Sequence, residues 1–360
     1  MRVLAVLAAP ADYTLDLIRN VYQARGVDWV FLKRTSPASD DHGPLTKRPV
    51  VGELSFGAML VTASRFLKRY DVLILNGWTG RFNVIVALLN LMFYRKPMVW
   101  ESDTMLSIPK NRLRRMAKWL WLGILFRRRF CWGFSGGSYG HKDLFRHYGM
   151  REDHIVLTPM VVDNERIARF RRSPGRSRSP FCFVYLGRLV KIKCVDAIIR
   201  AFQGIEADVA LHIVGDGSEK EGLMRLAASD SRIVFHGALH GDEKFRLLAT
   251  MSCLVLFSRI EPWGLVVNEA LSVGVPCIVS DAVGAQRDLI GDTGAGLVVP
   301  SGDVEALRKA MTALSKDTTR HARLSERAVE RMKTWSYREY SLNFDAFLSA
   351  VEMSAGGERT

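Results

Sequence analysis

Short apolar runs alternate with amphipathic helical stretches along nearly the whole of this 360-residue chain. That alternation restricts it to parallel α/β sheets, because parallel strands need a crossover segment, usually a helix, between them. In the first half the strand candidates are Val3–Ala8, Trp29–Leu32, Val72–Leu75, Met98–Trp100 and Cys131–Phe134. In the second half they are Phe181–Leu186, Val209–Val214, Arg232–Phe235, Leu254–Phe257, Cys277–Val279 and Leu297–Val299. Between the halves, Arg169 to Pro180 is rich in Arg, Ser, Pro and Gly and has no apolar period, as in a linker. The expected architecture is two Rossmann-like, doubly wound domains facing each other across a cleft. They cover residues 1–172 and 181–336, with a linker at 173–180. A C-terminal helix over 337–360 is expected to pack back towards the first domain, with a frayed tail from about Ser354. Sheets of this kind bind ligands beyond the carboxyl ends of their strands.

Several function classes fall away at this stage. The start, M-R-V-L-A-V-L-A-A-P-A, has the look of a signal peptide, but its apolar run is short. A helical pattern with Asp12, Leu15, Asp16 and Ile18 follows at once, as in a first strand entering a first helix. The other apolar stretches, Val84–Phe93 and Met116–Phe126, fall well below the roughly 20 residues that span a bilayer. Cys131, Cys182, Cys194, Cys253 and Cys277 are far apart and lack zinc-finger spacing, which favours free thiols in a reducing compartment. The formal charge of +14 divides into +16 over residues 1–179 and −2 over 180–360, so a basic interaction belongs to the first half.

The segment from Ser258 to Ser280 carries the most chemistry. A strand ends, a loop bears Glu261, Pro262, Trp263 and Gly264, and a helix starts near Gly264. The first amides of such a helix form an anion site. Glu269 lies about one turn in, able to offer two acceptor oxygens to a vicinal diol such as a ribose. At Y-L-G-R-L-V-K-I-K-C, a second strand ends at Gly187, and Arg188 and Lys193 emerge before a helix near Val195. Two cations at a strand end suit a pyrophosphate, Arg by its planar fork and Lys as a point charge.

The E-x7-E pair Glu261 and Glu269, within E-P-W-G-L-V-V-N-E-A-L and followed by G-V-P-C-I-V-S-D, resembles the donor signature of the retaining family 4 glycosyltransferases. The resemblance covers the second domain and, more weakly, the first. It implies the GT-B fold and a nucleoside diphosphate sugar, UDP- or GDP-linked, as donor, with no bound cofactor. It also implies that Glu261 contacts sugar hydroxyls, that Glu269 holds the ribose, and that Gly264 and Leu265 lie at the donor. The G-R-(x)4-K element is similar to the family's G-R-(x)4-K-G, whose Arg and Lys neutralise the leaving diphosphate. Here Cys194 stands where Gly is usual, which leaves the local backbone open. V-G-D-G around Gly215 resembles the family's glycine turn, and F-H-G-A around Gly237 resembles its base-binding loop. Asp281 resembles a residue near the sugar, or equally caps a turn. Retention in the family is thought to proceed on one face of the sugar, with a diphosphate oxygen assisting removal of the acceptor proton.

The first domain is then the acceptor side. Ala8-Ala-Pro-Ala-Asp-Tyr13 replaces the family's Gly-Gly loop. Asn76-Gly-Trp78 and Glu101-Ser-Asp103 follow strand candidates; Asp103 is the candidate for contact with the transferred sugar, or else caps the next helix. His141, His147 and His154 are assigned no chemistry. No D-x-D motif or ligand cluster suggests a metal, so Arg188, Lys193 and the helix dipole near Gly264 are expected to carry the charge.

Residues 110–130 hold eight basic residues, no acid, and Trp119, Trp121 and Phe126 among them. The apolar side of that helix either packs on the sheet or docks on an anionic membrane. The second reading makes the protein cytoplasmic and peripheral on the inner face of the membrane, with a lipid-linked glycan or a lipopolysaccharide or exopolysaccharide precursor as acceptor. One rival is a GT-B nucleotide-sugar 2-epimerase, which would form a 2-epimer without acceptor. A remoter one is a nucleic-acid binder, suggested by a pI near 9.8 but lacking any recognition motif, so no nucleic-acid partner is expected.

Overall fold

A computed structural model describes residues 1–34, 50–171 and 180–356. The chain divides into two compact units: Met1–Met160 with Tyr337–Thr360, and Val161–Ser336.

Unit 1 holds a parallel sheet of β1 (Val3–Leu7), β2 (Asp28–Phe31), β3 (Val72–Asn76), β4 (Met98–Ser102), β5 (Cys131–Ser135) and β6 (Ile155–Leu157). The order is β2-β1-β3-β4-β5-β6, with Asn76 beside Glu101 and Ser102 beside Ser135 at the carboxyl ends. β1, the signal-like run, is wholly buried between two neighbours, which is why it is apolar without alternation. Helices Phe56–Arg69, Arg81–Leu89, Arg112–Phe126 and Gly140–His147 cover one face, where Met59, Leu67, Phe82, Val86, Leu125 and Phe145 pack on Leu4, Leu73, Leu75 and Trp100. On the other face the helix Tyr337–Gly356 sets Phe347 against Trp132 and Phe134, at ring distances of 5.3 and 5.0 Å. Asp345 of that helix takes a two-pronged bond from Arg25 at 2.6 and 2.8 Å.

Unit 2 holds β7 (Phe181–Leu186), β8 (Val209–Val214), β9 (Ile233–Gly237), β10 (Cys253–Leu256), β11 (Cys277–Ser280) and β12 (Gly296–Val299), all parallel. Its order, β12-β11-β10-β7-β8-β9, is the Rossmann order, so the chain reverses direction across the sheet between β7 and β10. The loops after those two strands carry Arg188 and Lys193 on one side and Glu261 and Gly264 on the other.

The boundary between units falls at residue 160, ahead of the expected 172. Asn164 donates to the carbonyls of Met332 (2.9 Å) and Trp335 (2.8 Å), and Arg171 donates to that of Ser272 (2.9 Å), which ties this stretch to unit 2. The expected linker at 173–180 lies outside the described residues except for Pro180, and the C-terminal helix runs to Gly356, past the expected fraying point. β6 is absent from the sequence-based strands, being three residues long at a sheet edge.

Candidate functional site

In unit 2 the loops after β10 and β11 are tied together. Glu261 N–H donates to Ala282 O (3.3 Å), Gly284 N–H to Glu261 O (2.9 Å), and Ala285 N–H to Trp263 O (3.0 Å). Trp263 is buried, stacks on Trp335 with centroids 5.5 Å apart, and donates through Nε1 to Asn268 Oδ1 at 2.8 Å. The tryptophan of E-P-W-G thus anchors the loop to the helix behind it. Gly264 turns the chain at φ +95°, and a Cβ there would lie 3.0 to 3.3 Å from Leu256, Glu261 and Val283. The helix Leu265–Ser272 follows with no side chain capping its first turn, which leaves that turn able to receive an anion.

Each acid of the E-x7-E pair is held by a lysine. Glu261 is buried and accepts from Lys193 Nζ, with Ser258 Oγ at 3.5 Å on the same oxygen. Glu269 accepts from Lys244 Nζ at 2.7 Å, with both side chains largely buried. The first pair joins two residues singled out in the sequence. In the second, Lys244 comes from the helix Gly241–Leu248 after β9, where nothing in its polar surroundings marks it. Tyr185 is another unforeseen member: burial first and the Glu261 charge second push its hydroxyl above the usual range, and it donates to Arg188 O at 2.8 Å. The Arg188 side chain is exposed at the end of β7.

Glycines stand at or just past the carboxyl ends of three neighbouring strands, β7, β8 and β9. Gly187 N–H donates to Val214 O (3.0 Å) and Gly215 N–H to Gly237 O (2.7 Å). A Cβ on Gly215, at φ +146°, would fall 1.9 Å from Gly187 O, so only glycine lets these strand ends lie so close. Gly237 turns at φ +71° in open space. Cys194 adopts φ +51°, the left-handed conformation for which glycine is the usual residue, and starts the helix Val195–Gln203. The Cys departure is therefore accommodated at some strain, with Lys193 still directed to Glu261. Asp281 accepts from Ser301 N–H at 2.8 Å, as a turn cap does.

Asp103 lies in unit 1, exposed just beyond β4. It does not cap the next helix, whose first turn is capped by Asn111 through Arg114 N–H at 3.0 Å. Beside it Glu101 is half-buried and accepts from Asn76 Nδ2 at 3.2 Å. Loss of solvent raises its carboxyl above the usual range, with the charge of Asp103 adding to this and bonds from Asn76 and Tyr340 opposing it. Tyr340 in turn lies 3.3 Å from the hydroxyl of Tyr22. Among the described residues no cluster of His, Cys, Asp and Glu could hold a metal ion, and no helix is long and apolar enough to cross a membrane. All five cysteines are free thiols.

Comparison with known proteins places this geometry. Residues 167–331 match the family described as glycosyl transferases group 1. The chain is 31% identical over 195 residues to the N-acetyl-alpha-D-glucosaminyl L-malate synthase of Bacillus anthracis, a match covering 53% of this chain and 49% of that one. It is also 31% identical over 150 residues to a lipopolysaccharide core biosynthesis glycosyltransferase of Rhizobium meliloti, covering 41% and 43%. The chain thus spans about half or less of these curated relatives. Among solved structures, an Anabaena protein in complex with UDP-glucose superposes with TM-score 0.76 at 18% identity, over 97% of this chain and all of that one. The apo form of a lipopolysaccharide outer core galactosyltransferase superposes with TM-score 0.72 at 17% identity, over 97% and 99%. The fold is GT-B, and residues 167–331 match the glycosyl transferases group 1 family.

Proposed function

We propose that this protein is a retaining, metal-independent glycosyltransferase of family 4. It would move a sugar from a UDP- or GDP-sugar held by unit 2 to a lipid-linked glycan, or a lipopolysaccharide or exopolysaccharide precursor, held by unit 1. The observation that carries the reading is the pairing of Glu261 with Lys193 and of Glu269 with Lys244 around an uncapped helix start at Gly264. In this reading Glu269 accepts the ribose hydroxyls, and Glu261 positions the sugar. Arg188, Lys193 and the amides at Gly264 and Leu265 take the charge that grows on the diphosphate as the glycosidic bond breaks. Gly187 and Gly215 let the backbone approach the phosphates, Gly237 lies at the base, and Asp103 meets the transferred sugar from the acceptor side. A diphosphate oxygen takes the acceptor proton, so no enzyme nucleophile is needed.

The protein is proposed to work at the inner face of the cytoplasmic membrane, docked through residues 110–130. Support comes from the helix Arg112–Phe126, where Leu122, Leu125 and Phe126 meet the core while Leu113, Met116, Trp119, Leu120 and Ile124 face solvent among arginines. The functional test is a panel of UDP- and GDP-sugars with mixed lipid-linked acceptors, with the anomeric configuration of the product read by NMR. Retained configuration in a new glycosidic bond supports the proposal. Inversion overturns the retaining mechanism, and a free 2-epimer formed without acceptor indicates an epimerase.

A further inference from the structure

We propose that the outer faces of three helices of unit 1 form one docking surface for an anionic bilayer, and that a groove at its edge takes an anionic phospholipid headgroup. The inference rests on the membrane reading above and enlarges it from one helix to a layer. The helices Phe56–Arg69, Arg81–Leu89 with its continuation to Tyr94, and Arg112–Phe126 lie on the same sheet face. Phe66 and Phe82 meet edge to face at 6.0 Å, the hydroxyls of Ser64 and Tyr94 are 2.9 Å apart, and Trp78, leading into the second helix, meets Phe126 at 6.4 Å.

None of the three helices contains an Asp or Glu. An ordinary surface helix is polar on the side away from the core. Here the outward positions include Val61 (61% exposed), Met92 (62%), Phe93 (68%), Leu113 (72%) and Met116 (56%), interspersed with Arg and Lys. Lys118 is the exception, donating to Ser107 O at 2.9 Å and lying over the Trp78 ring. Nucleic acid would use the cations and leave the aliphatic side chains in water, whereas a bilayer interface takes both.

The groove has a volume of about 720 Å³ and is lined by Arg2, Arg65, Lys68 and Arg69 over Leu60 and Val61, with Ser64 beside them. Among the described residues no carboxylate lines it. Asp71, close by in the chain fold, is engaged by the Arg2 backbone N–H at 2.7 Å and by Lys96 at 3.9 Å. Four cations around the partly exposed Leu60 and Val61 in a shallow, open depression suit a phosphodiester with its glycerol and upper acyl carbons.

The test is co-sedimentation of the full chain with vesicles of phosphatidylcholine alone or mixed with phosphatidylglycerol. It compares wild type with R65Q/K68Q/R69Q, V61S/M92S/F93S and R127E/R128E/R129E, all at exposed positions, with folding checked by circular dichroism. Wild type is expected to bind only the anionic vesicles, and the first two variants are each expected to lose about tenfold or more in partitioning. If only R127E/R128E/R129E loses binding, the layer and groove are overturned while the single-helix anchor stands. If wild type binds no vesicle, or binds duplex DNA and no vesicle, both fall. Loss in V61S/M92S/F93S with full binding by R65Q/K68Q/R69Q overturns the headgroup groove.

Discussion

Replacing Glu269 with Ala separates nucleotide binding from catalysis, because the proposed roles of the two acids predict opposite kinetic signatures. The Glu269 carboxylate accepts from Lys244 at 2.7 Å, and the two side chains are 13% and 17% exposed, so any diol that reaches the carboxylate meets a poorly solvated charge. Losing two such bonds should weaken UDP or GDP by roughly 1–3 kcal/mol, or about 5- to 150-fold in Kd. The freed Lys244 ammonium works the other way, since a nucleotide phosphate can partly replace the lost carboxylate. The single variant therefore understates the contribution of the diol. The double variant E269A/K244M removes that compensation and should bind more weakly than E269A alone. E261A, by contrast, should keep nucleotide affinity within about twofold and lose kcat, because its partner is the sugar in the transition state. Isothermal titration calorimetry with UDP and GDP, beside steady-state rates, reads both. Unchanged nucleotide affinity in E269A and E261A alike would refute the assignment of roles.

Lys193→Ala should lower kcat by about 100-fold with a smaller change in nucleotide affinity, and wild-type turnover would remove Lys193 from the diphosphate. Activity should survive EDTA; an activity lost to EDTA and restored by Mg²⁺ would sink the metal-free mechanism. Gly215→Ala forces a Cβ to 1.9 Å from Gly187 O and should cost more than about 3 kcal/mol, whereas Gly237→Ala meets no atom within 4 Å and should cost about 1–2 kcal/mol. Equal urea midpoints for the two would show that the strand ends are not closely packed. Glu101 has a folded-state pKa raised above its unfolded value by burial, so the protonated carboxyl favours the folded state at low pH and that contribution is lost as pH rises through the folded pKa. Glu101→Gln should therefore gain stability relative to wild type between acidic and mildly alkaline pH, and a pH-independent difference in unfolding free energy would contradict this.

Among the described residues, eleven of the twelve strands lie at apolar runs visible in the sequence, because a parallel strand buried on both faces must be apolar along its length. β6 escapes because three edge residues bury too little to stand out. The GT-B resemblance was carried by short-range patterns such as E-P-W-G and G-R-(x)4-K. The geometry accounts for the local ones: Trp263 locks the loop through Asn268 and Trp335, and the position of Cys194 calls for a left-handed residue. What remains hidden is pairing across long sequence separations. Lys244 reaches Glu269 from another helix, and Tyr340 approaches Tyr22 and Glu101 from the far end of the chain.

The basic helix shows why composition alone leaves such questions open. Its residues allow two amphipathic arrangements, one burying Leu113, Met116, Leu120 and Ile124, the other burying Trp121, Leu122, Leu125 and Phe126. Periodicity measures how strongly sides differ, and here both sides are apolar. The sheet selects the second arrangement because Phe126 fits between Trp78, Phe145 and Tyr148, at ring distances of 6.4, 5.3 and 6.5 Å. Lys118 closes over the Trp78 and Tyr148 rings from the same side, its ammonium made less basic by desolvation. Once that aromatic socket is filled, the first arrangement can only point outward. The exposed leucines are thus a consequence of core packing, and the arginines around them turn that consequence into a surface whose chemistry matches an anionic interface.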